Sequence, residues 1–199
     1  HATIGAPFLQ PGSVVVDMPV HRARTKAYAM QGGTTTRQLQ SFADFTWPMA
    51  PTRDGKLFDL RSAPMTPGST DHATSLLDPA RKLTFVTALH VDKRLLVGWV
   101  FRTGDFPWVQ TWLSYPGPDR MVRGLEFSTQ PFDLPRADVL KAGPLFDAPV
   151  FRVLPAKSTI TANFLMFYTR VPEGFRKVDD VQLEGGRLTI DDRGAARRI

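Results

Sequence analysis

Cysteine is absent from this sequence of 199 residues, so the chain can form neither a disulfide nor a thiolate metal site. Long apolar runs are absent too: none approaches the roughly 18 residues of a membrane-spanning helix, and no membrane partner is predicted. Helix-favouring stretches are scarce, because 17 prolines and 15 glycines are spread along the whole length. This distribution favours many short strands joined by turns.

The composition is that of a folded chain with one sizeable core, since 42% of the residues are hydrophobic and 11% are aromatic. We expect a β-sandwich domain over residues 1–175 and an edge hairpin with a tail over residues 176–199. The first residue is His rather than Met, which indicates trimming or processing. The compartment stays open between the cytoplasm and a periplasmic or secreted location after processing.

The net charge of +6 raises nucleic acid as a partner, but the basic residues are scattered except at the tail. No motif that combines aromatic and basic residues for nucleic-acid binding is present. A generally basic surface is therefore favoured, and no nucleic-acid partner is predicted.

Alternating apolar patterns predict an all-β fold, a sandwich or a barrel. Residues 94–102 are apolar on both faces, which is typical of a strand in the middle of a layered structure, and they should form a hairpin with residues 82–90. Further strands are predicted at residues 13–17, 22–30, 56–61 and 108–115.

Three other local predictions follow from spacing and turn residues. Apolar residues three apart predict a helix over residues 34–45. Residues 150–154 and 158–170 predict a second hairpin, joined by an irregular connection (residues 131–149) to the strand before it. The last six residues are expected to fray.

The strand that contains Glu126 is the most informative stretch of the chain. Strand side chains alternate, so Leu125 and Phe127 should point to one face and Glu126 to the other. A carboxylate placed among core residues is costly to bury without a partner. Glu126 therefore either faces solvent or lines a polar cavity.

Several kinds of chemistry have no motif here. The four histidines show no spacing typical of metal ligands, and there is no nucleophile elbow, phosphate-cradling loop or dinucleotide fingerprint. No metal and no cofactor are predicted. The remaining candidates are His1, the Asp71-His72 pair and Glu126, and a carboxylate base with a histidine acid is a simple proton-transfer device.

Four short motifs, in order, resemble those of the aldose 1-epimerase (galactose mutarotase-like) superfamily. They are HATIGAPFL (residues 1–9), FDLR (58–61), GSTDH (68–72) and LEFSTQP (125–131). The resemblance runs to about residue 171 and covers the C-terminal two-thirds of such proteins. It implies an antiparallel β-supersandwich that is truncated at its N-terminus and acts on or binds a hexose or related small-molecule sugar.

The same resemblance implies roles for individual residues. Glu126 would be the general base and His1 the general acid of ring opening. The substrate-binding candidates are Asp71, His72, Trp108 and Trp112, the two tryptophans by stacking on a sugar face.

Each of these residues also has a structural interpretation. Glu126 would be a solvated strand residue paired with Arg123 or with a neighbouring basic strand, Asp71 a turn cap, and His72 a satisfied buried residue. His1 would be a disordered terminus, and the tryptophans would be core residues. Two other functions stay open at this point. One is a non-catalytic carbohydrate-binding domain, and the other is a copper oxidase that uses the amino group and imidazole of His1. Exposed strand edges would favour a homodimer.

Overall fold

The computed structural model describes residues 1–27, 36–62, 66–117 and 120–199. Fifteen strands and one helix occur within these ranges. The strands are β1 (Thr3–Gly5), β2 (Val14–Asp17), β3 (Val20–Thr25), β4 (Asp44–Phe45), β5 (Met49–Pro51), β6 (Leu57–Asp59), β7 (Ser69–Leu77), β8 (Leu83–His90), β9 (Leu95–Arg102), β10 (Trp108–Tyr115), β11 (Val122–Ser128), β12 (Phe164–Arg170), β13 (Asp180–Glu184), β14 (Arg187–Asp192) and β15 (Arg197–Arg198). The helix is α1 (Arg136–Lys141).

The strands form four sheets in which all pairs of named strands are antiparallel. A six-stranded sheet has the order β1-β11-β10-β7-β3-β4, and a four-stranded sheet has the order β12-β9-β8-β2. A three-stranded sheet (β13-β14-β15) and a two-stranded sheet (β5-β6) complete the set. The prediction of an all-β fold is confirmed.

The four-stranded sheet lies between the other two larger sheets, and its strands β8 and β9 are buried on both faces. One face packs toward the six-stranded sheet through a core that includes Val86, Trp99 and Leu125. The other face packs on the three-stranded sheet through a second core that includes Val100 and Ile190. The predicted hairpin of residues 82–90 and 94–102 is present as β8 and β9, and β9 is covered on both sides.

The helix predicted over residues 34–45 is wrong for the part that the structure describes; residues 34 and 35 lie outside it. The backbone N–H groups of Gln38 and Leu39 donate to the Asp71 carboxylate instead of to a helical turn. Asp44 and Phe45 form β4 beside β3. Tertiary hydrogen bonds therefore override the three-residue spacing.

The second predicted hairpin is also wrong. Residues 151–163 form no strand, and β12 pairs with β9 and not with the preceding segment. The predicted fraying of the last residues is wrong as well, because β15 pairs with β14 and Ile199 exchanges backbone hydrogen bonds with Ile190. In the described part of the chain, no helix is long and apolar enough to cross a membrane.

Candidate active site

Glu126 lies on the outward face of β11, as the alternation of that strand predicts. Leu125 is fully buried in the core, whereas Glu126 points to the opposite face. Arg123, three residues earlier, points to the core side, where its guanidinium donates to the carbonyl oxygens of Leu60 and Arg61. The expected pairing of Glu126 with Arg123 is therefore wrong, because the two side chains lie on opposite faces of the sheet.

The outward face of the six-stranded sheet, called the polar face below, carries rows of polar and aromatic side chains. Residues paired directly across antiparallel strands share a face. One row is Glu126, Gln110, Thr74 and Arg24, and the neighbouring row includes Gly124, Trp112 and His72.

His1 reaches Glu126 because β1 pairs with β11. Thr3 is opposite Gly124, and the carbonyl of Ala2 accepts from Leu125 N at 2.7 Å, so the next position along the strand places His1 beside Glu126. His1 Nδ1 lies 3.1 Å from Glu126 Oε1. The His1 side chain is 82% exposed and the Glu126 side chain only 12% exposed. The pair therefore joins an accessible imidazole to a carboxylate that is largely removed from water.

Burial raises the pKa of the Glu126 carboxyl above its ordinary value of 4.5. The negative charge of Asp133 acts in the same direction, whereas the terminal ammonium of His1 and the charge of Lys26 oppose it. Desolvation disfavours the charged form of a carboxyl group. Glu126 is therefore a stronger proton acceptor, once ionised, than an exposed carboxylate.

Gly124 allows the Glu126 carboxylate to lie close to the backbone of β11, beside Trp112. A Cβ atom at position 124 would lie 2.7 Å from Glu126 Oε1 and 3.2 Å from Trp112 Cβ. Contacts under 3 Å are not tolerated without a shift of the neighbour. The absence of a side chain at Gly124 therefore lets the carboxylate take up this position next to the half-buried indole of Trp112.

Residues 129–150 form a covering segment that lies across the rest of the polar face. Its backbone carbonyls accept hydrogen bonds at Gln130 from Gln110 Nε2 (3.2 Å), at Asp133 from Lys26 Nζ (3.2 Å) and at Pro149 from Trp108 Nε1 (3.0 Å). The Phe146 ring lies under the guanidinium of Arg22, 4.3 Å away. These contacts bury the far side of the face and leave the Glu126 end at the margin of the segment.

His72 lies on the polar face, directly opposite Trp112 on the neighbouring strand. Its ring meets the Phe132 ring edge-on at a centroid distance of 6.2 Å. Burial lowers the pKa of His72 to about 4, and the charge of Lys26 adds to this effect, while a hydrogen bond with Gln110 opposes it. His72 is therefore a neutral, buried imidazole near pH 7.

Asp71 and Trp108 are not brought to Glu126 as open binding groups. Asp71 points to the core side, where Oδ1 accepts from Gln38 N at 3.1 Å and from Leu39 N at 3.0 Å. Burial raises the pKa of Asp71, against the effect of these hydrogen bonds. Trp108 is fully buried under the covering segment. Of the predicted residues, His1, Glu126, Trp112, His72 and the covered Trp108 share one face of the sheet, and Asp71 points to the other.

Sequence reasoning missed Gly124, Lys26, Gln110 and Asp133. Gly124 and Asp133 flank Glu126 in the sequence, so the alternation of β11 and the turn at Pro131 were available signals. Gln110 and Lys26 reach the site only because β7 pairs with β10 and β3. No local pattern in the sequence indicates this pairing.

A second concave region lies between the three-stranded sheet and the turn after β6. It has a volume of about 390 Å³, and Arg61, Arg176 and Lys177 are among its lining residues. Its carboxylate at Asp192 is already occupied by backbone N–H groups, including those of Arg176 at 2.7 Å and Ala195 at 3.0 Å. Asp192 is thus an anchor for the surrounding loops and is a weaker candidate for proton transfer than Glu126.

Within the described ranges, no group of three or more His, Cys, Asp or Glu side chains is placed to hold a metal ion. The copper site that was predicted as an alternative stays a prediction. Comparison of the chain with protein-family models, with curated proteins and with solved structures finds no match in any of the three. The function must therefore be argued from the residues and their geometry.

Proposed function

We propose that this chain acts on or binds a hexose or related sugar at the Glu126–His1 pair, as an aldose 1-epimerase-like protein. The observation that carries the proposal is the 3.1 Å contact between His1 Nδ1 and Glu126 Oε1, with a Glu126 carboxyl whose pKa is raised by burial. The proposal includes the galactose mutarotase-like supersandwich, of which the chain would be the C-terminal two-thirds.

In the proposed reaction Glu126 is the base and His1 the acid. Glu126 takes the proton of the anomeric hydroxyl as the bond between the anomeric carbon and the ring oxygen breaks. The ring oxygen takes a proton from the protonated His1 imidazole, and an open-chain aldehyde results. Rotation about the bond to the next carbon and reversal of both proton transfers give the other anomer and restore both side chains.

The short distance between acid and base suits this reaction. The two sugar oxygens that exchange protons are bonded to the same carbon, so they are closer to each other than two hydrogen-bonded atoms. An acid and a base that already touch can therefore reach both oxygens with little movement. The exposed His1 imidazole can move aside for the sugar, whereas Glu126 is held by its strand.

The surface next to Gly124, between Glu126 and Trp112, is the proposed sugar subsite. Trp112 forms one side of this surface and Glu126 the other, so the apolar face of a pyranose would lie against the indole while its anomeric carbon meets the carboxylate. The neutral His72 imidazole, opposite Trp112, offers a further hydrogen-bonding group on the same face. Asp71 would act indirectly, by holding the loop at Gln38 and Leu39.

The test is the interconversion of α- and β-glucose or galactose, followed by polarimetry, with the chain and with Glu126→Gln. We expect the substitution to reduce the rate above the spontaneous reaction by roughly 100-fold or more. Glu173→Gln, at an exposed position after β12, is the matched control and should leave the rate unchanged. Equal rates for the chain and Glu126→Gln would exclude the assignment.

Calorimetric sugar binding separates catalysis from binding alone. Binding that is lost in Trp112→Ala, together with no rate enhancement by the unmodified chain, would identify a non-catalytic carbohydrate-binding domain. Absence of both binding and rate enhancement would contradict the proposal as a whole.

A further inference from the structure

Exposed apolar side chains are concentrated in one part of the chain. Of the 13 large apolar side chains that are exposed among the described residues, eight lie between positions 151 and 168. They are Phe151, Val153, Leu154, Ile160, Phe164, Leu165, Met166 and Tyr168. An apolar cluster of this kind on a folded chain marks a surface that binds a partner.

Four of these side chains lie on β12, an edge strand with little protection against pairing. β12 pairs with β9 along one side, and no described strand pairs with its other side. Its register is continuous over seven residues, without a bulge, and its sequence FLMFYTR contains neither proline nor lysine. Natural edge strands usually carry a bulge, a proline or a lysine, because a free edge is a template for another strand.

Three side chains of β12 continue the apolar core between the two larger sheets, but no other layer of the described structure covers them. Phe164, Met166 and Tyr168 are opposite Phe101, Trp99 and Val97, which are buried in the core between the two larger sheets. The three β12 side chains are nevertheless 56%, 57% and 62% exposed. This apolar row therefore continues the core along β12 without a layer above it.

The charge around β12 indicates the chemistry of the partner. Residues 151–171 include Arg152, Lys157 and Arg170 and contain no Asp or Glu; of these cations, Arg152 forms an ion pair with Asp105 at 3.4 Å. Pairing of this surface with a second copy of itself would bring like charges together, whereas an acidic strand would complement it. None of the seven residues of β12 is buried, and the strand pairs only with β9 among the described strands.

We propose that the β12 edge binds an extended, acidic peptide segment of another protein, which adds to the four-stranded sheet as a neighbour of β12. Backbone hydrogen bonds along the free edge would hold the segment, as in strand addition generally. Apolar side chains at alternate positions of the segment would cover Phe164, Met166 and Tyr168. Carboxylates at the ends of the segment would meet the cations that flank β12.

The test uses a labelled peptide, acetyl-Glu-Glu-Val-Thr-Val-Thr-Val-Glu-Glu-amide, and measures its binding by fluorescence anisotropy. A matched peptide has Lys at every Glu position, and a third has N-methyl groups on alternate residues. We expect the acidic peptide to bind at least about tenfold more tightly than the Lys peptide and the N-methylated peptide. The difference in affinity between the acidic and Lys peptides should become smaller as salt is added. Hydrogen exchange should slow within residues 164–170.

Variants of the chain locate the binding surface. Met166→Asp should reduce the affinity for the acidic peptide at least about tenfold. Leu57→Asp, at a similarly exposed position (63%) on β6, should leave this affinity unchanged. Arg170→Glu should shift the preference toward the Lys peptide. Equal binding of the acidic and Lys peptides, no exchange protection at β12, or binding unaffected by Met166→Asp would overturn the proposal. A dimer through β12 in sedimentation experiments would also overturn it, in favour of a second copy.

Discussion

Replacing His72 with glutamine should make the free energy of unfolding less dependent on pH between pH 7 and pH 4. Burial lowers the pKa of His72 from its ordinary value of 6.5 to about 4 in the folded chain. Above pH 6.5 the imidazole is neutral in both the folded and the unfolded chain. As the pH falls, the unfolded chain takes up the proton first, so the unfolded state is favoured progressively until the folded chain is protonated as well.

The size of the effect follows from the two pKa values. Each pKa unit corresponds to about 1.4 kcal/mol, so a fall from 6.5 to about 4 corresponds to about 3.5 kcal/mol of unfolding free energy. This stability is present above pH 6.5 and is lost as the pH falls toward 4. Single domains have only about 5–15 kcal/mol in total, so the loss is large enough to measure.

The assay is urea denaturation at pH 7, 5.5 and 4, followed by tryptophan fluorescence. The quantity of interest is the difference in unfolding free energy between the chain and His72→Gln at each pH, because other groups that titrate contribute equally to both. His21→Gln is the control, since His21 is exposed on β3 and should behave as the unmodified chain does. A difference that stays constant from pH 7 to pH 4 would refute the burial of a neutral imidazole beneath Phe132.

Three further predictions concern the site and its support. Gly124→Ala should lower the interconversion rate, by up to about 100-fold, because the added Cβ would lie 2.7 Å from Glu126 Oε1 and displace the carboxylate. An unchanged rate would place the sugar elsewhere. The rate should fall on acidification with a midpoint above pH 4.5, because burial raises the pKa of Glu126; a midpoint at or below 4.5 would contradict this. Asp71→Ala should lower the unfolding free energy by about 3 kcal/mol, because two backbone N–H groups lose their acceptor, and Asp71→Asn by less; equal losses in a urea titration would contradict that anchoring role.

The placement of Glu126 could be predicted from the sequence because it depends on one local rule. Alternation along a strand puts Glu126 opposite to Leu125, and the structure confirms it. The contact with His1 could not be predicted from any local pattern. It depends on the pairing of β1 with β11, whose residues are more than a hundred positions apart in the chain.

β7 shows why part of the site escaped prediction. Its sequence STDHATSLL has no apolar alternation, yet the strand lies at the centre of the six-stranded sheet, and most of its residues are buried. The polar side chains are accommodated by tertiary contacts such as those of Asp71. Once β7 is known to be a strand, the neighbours Asp71 and His72 must lie on opposite faces, and only His72 can share a face with Glu126.

Two of the wrong local predictions, the helix and the second hairpin, have related causes. The helix over residues 34–45 was predicted from apolar spacing alone, but backbone groups there have acceptors in β7 that a short helix cannot match. The hairpin over residues 150–170 was predicted from a central Pro-Ala-Lys turn. The second of its strands pairs with β9, because the apolar side chains of β12 can join an existing core there.

The last 24 residues are part of the structural foundation of the chain rather than an appendage. Val178 N donates to the buried Asp17 at 2.7 Å, Arg81 forms an ion pair with Asp180 at 2.6 Å, and β13 and β14 close the outer side of the middle sheet. A version of the chain shortened at residue 175 would present Phe85, Leu96 and Val100 to water. We expect this shortened version to aggregate during synthesis. Substitutions on the exposed surface of the three-stranded sheet should be tolerated, whereas deletion of the sheet should not.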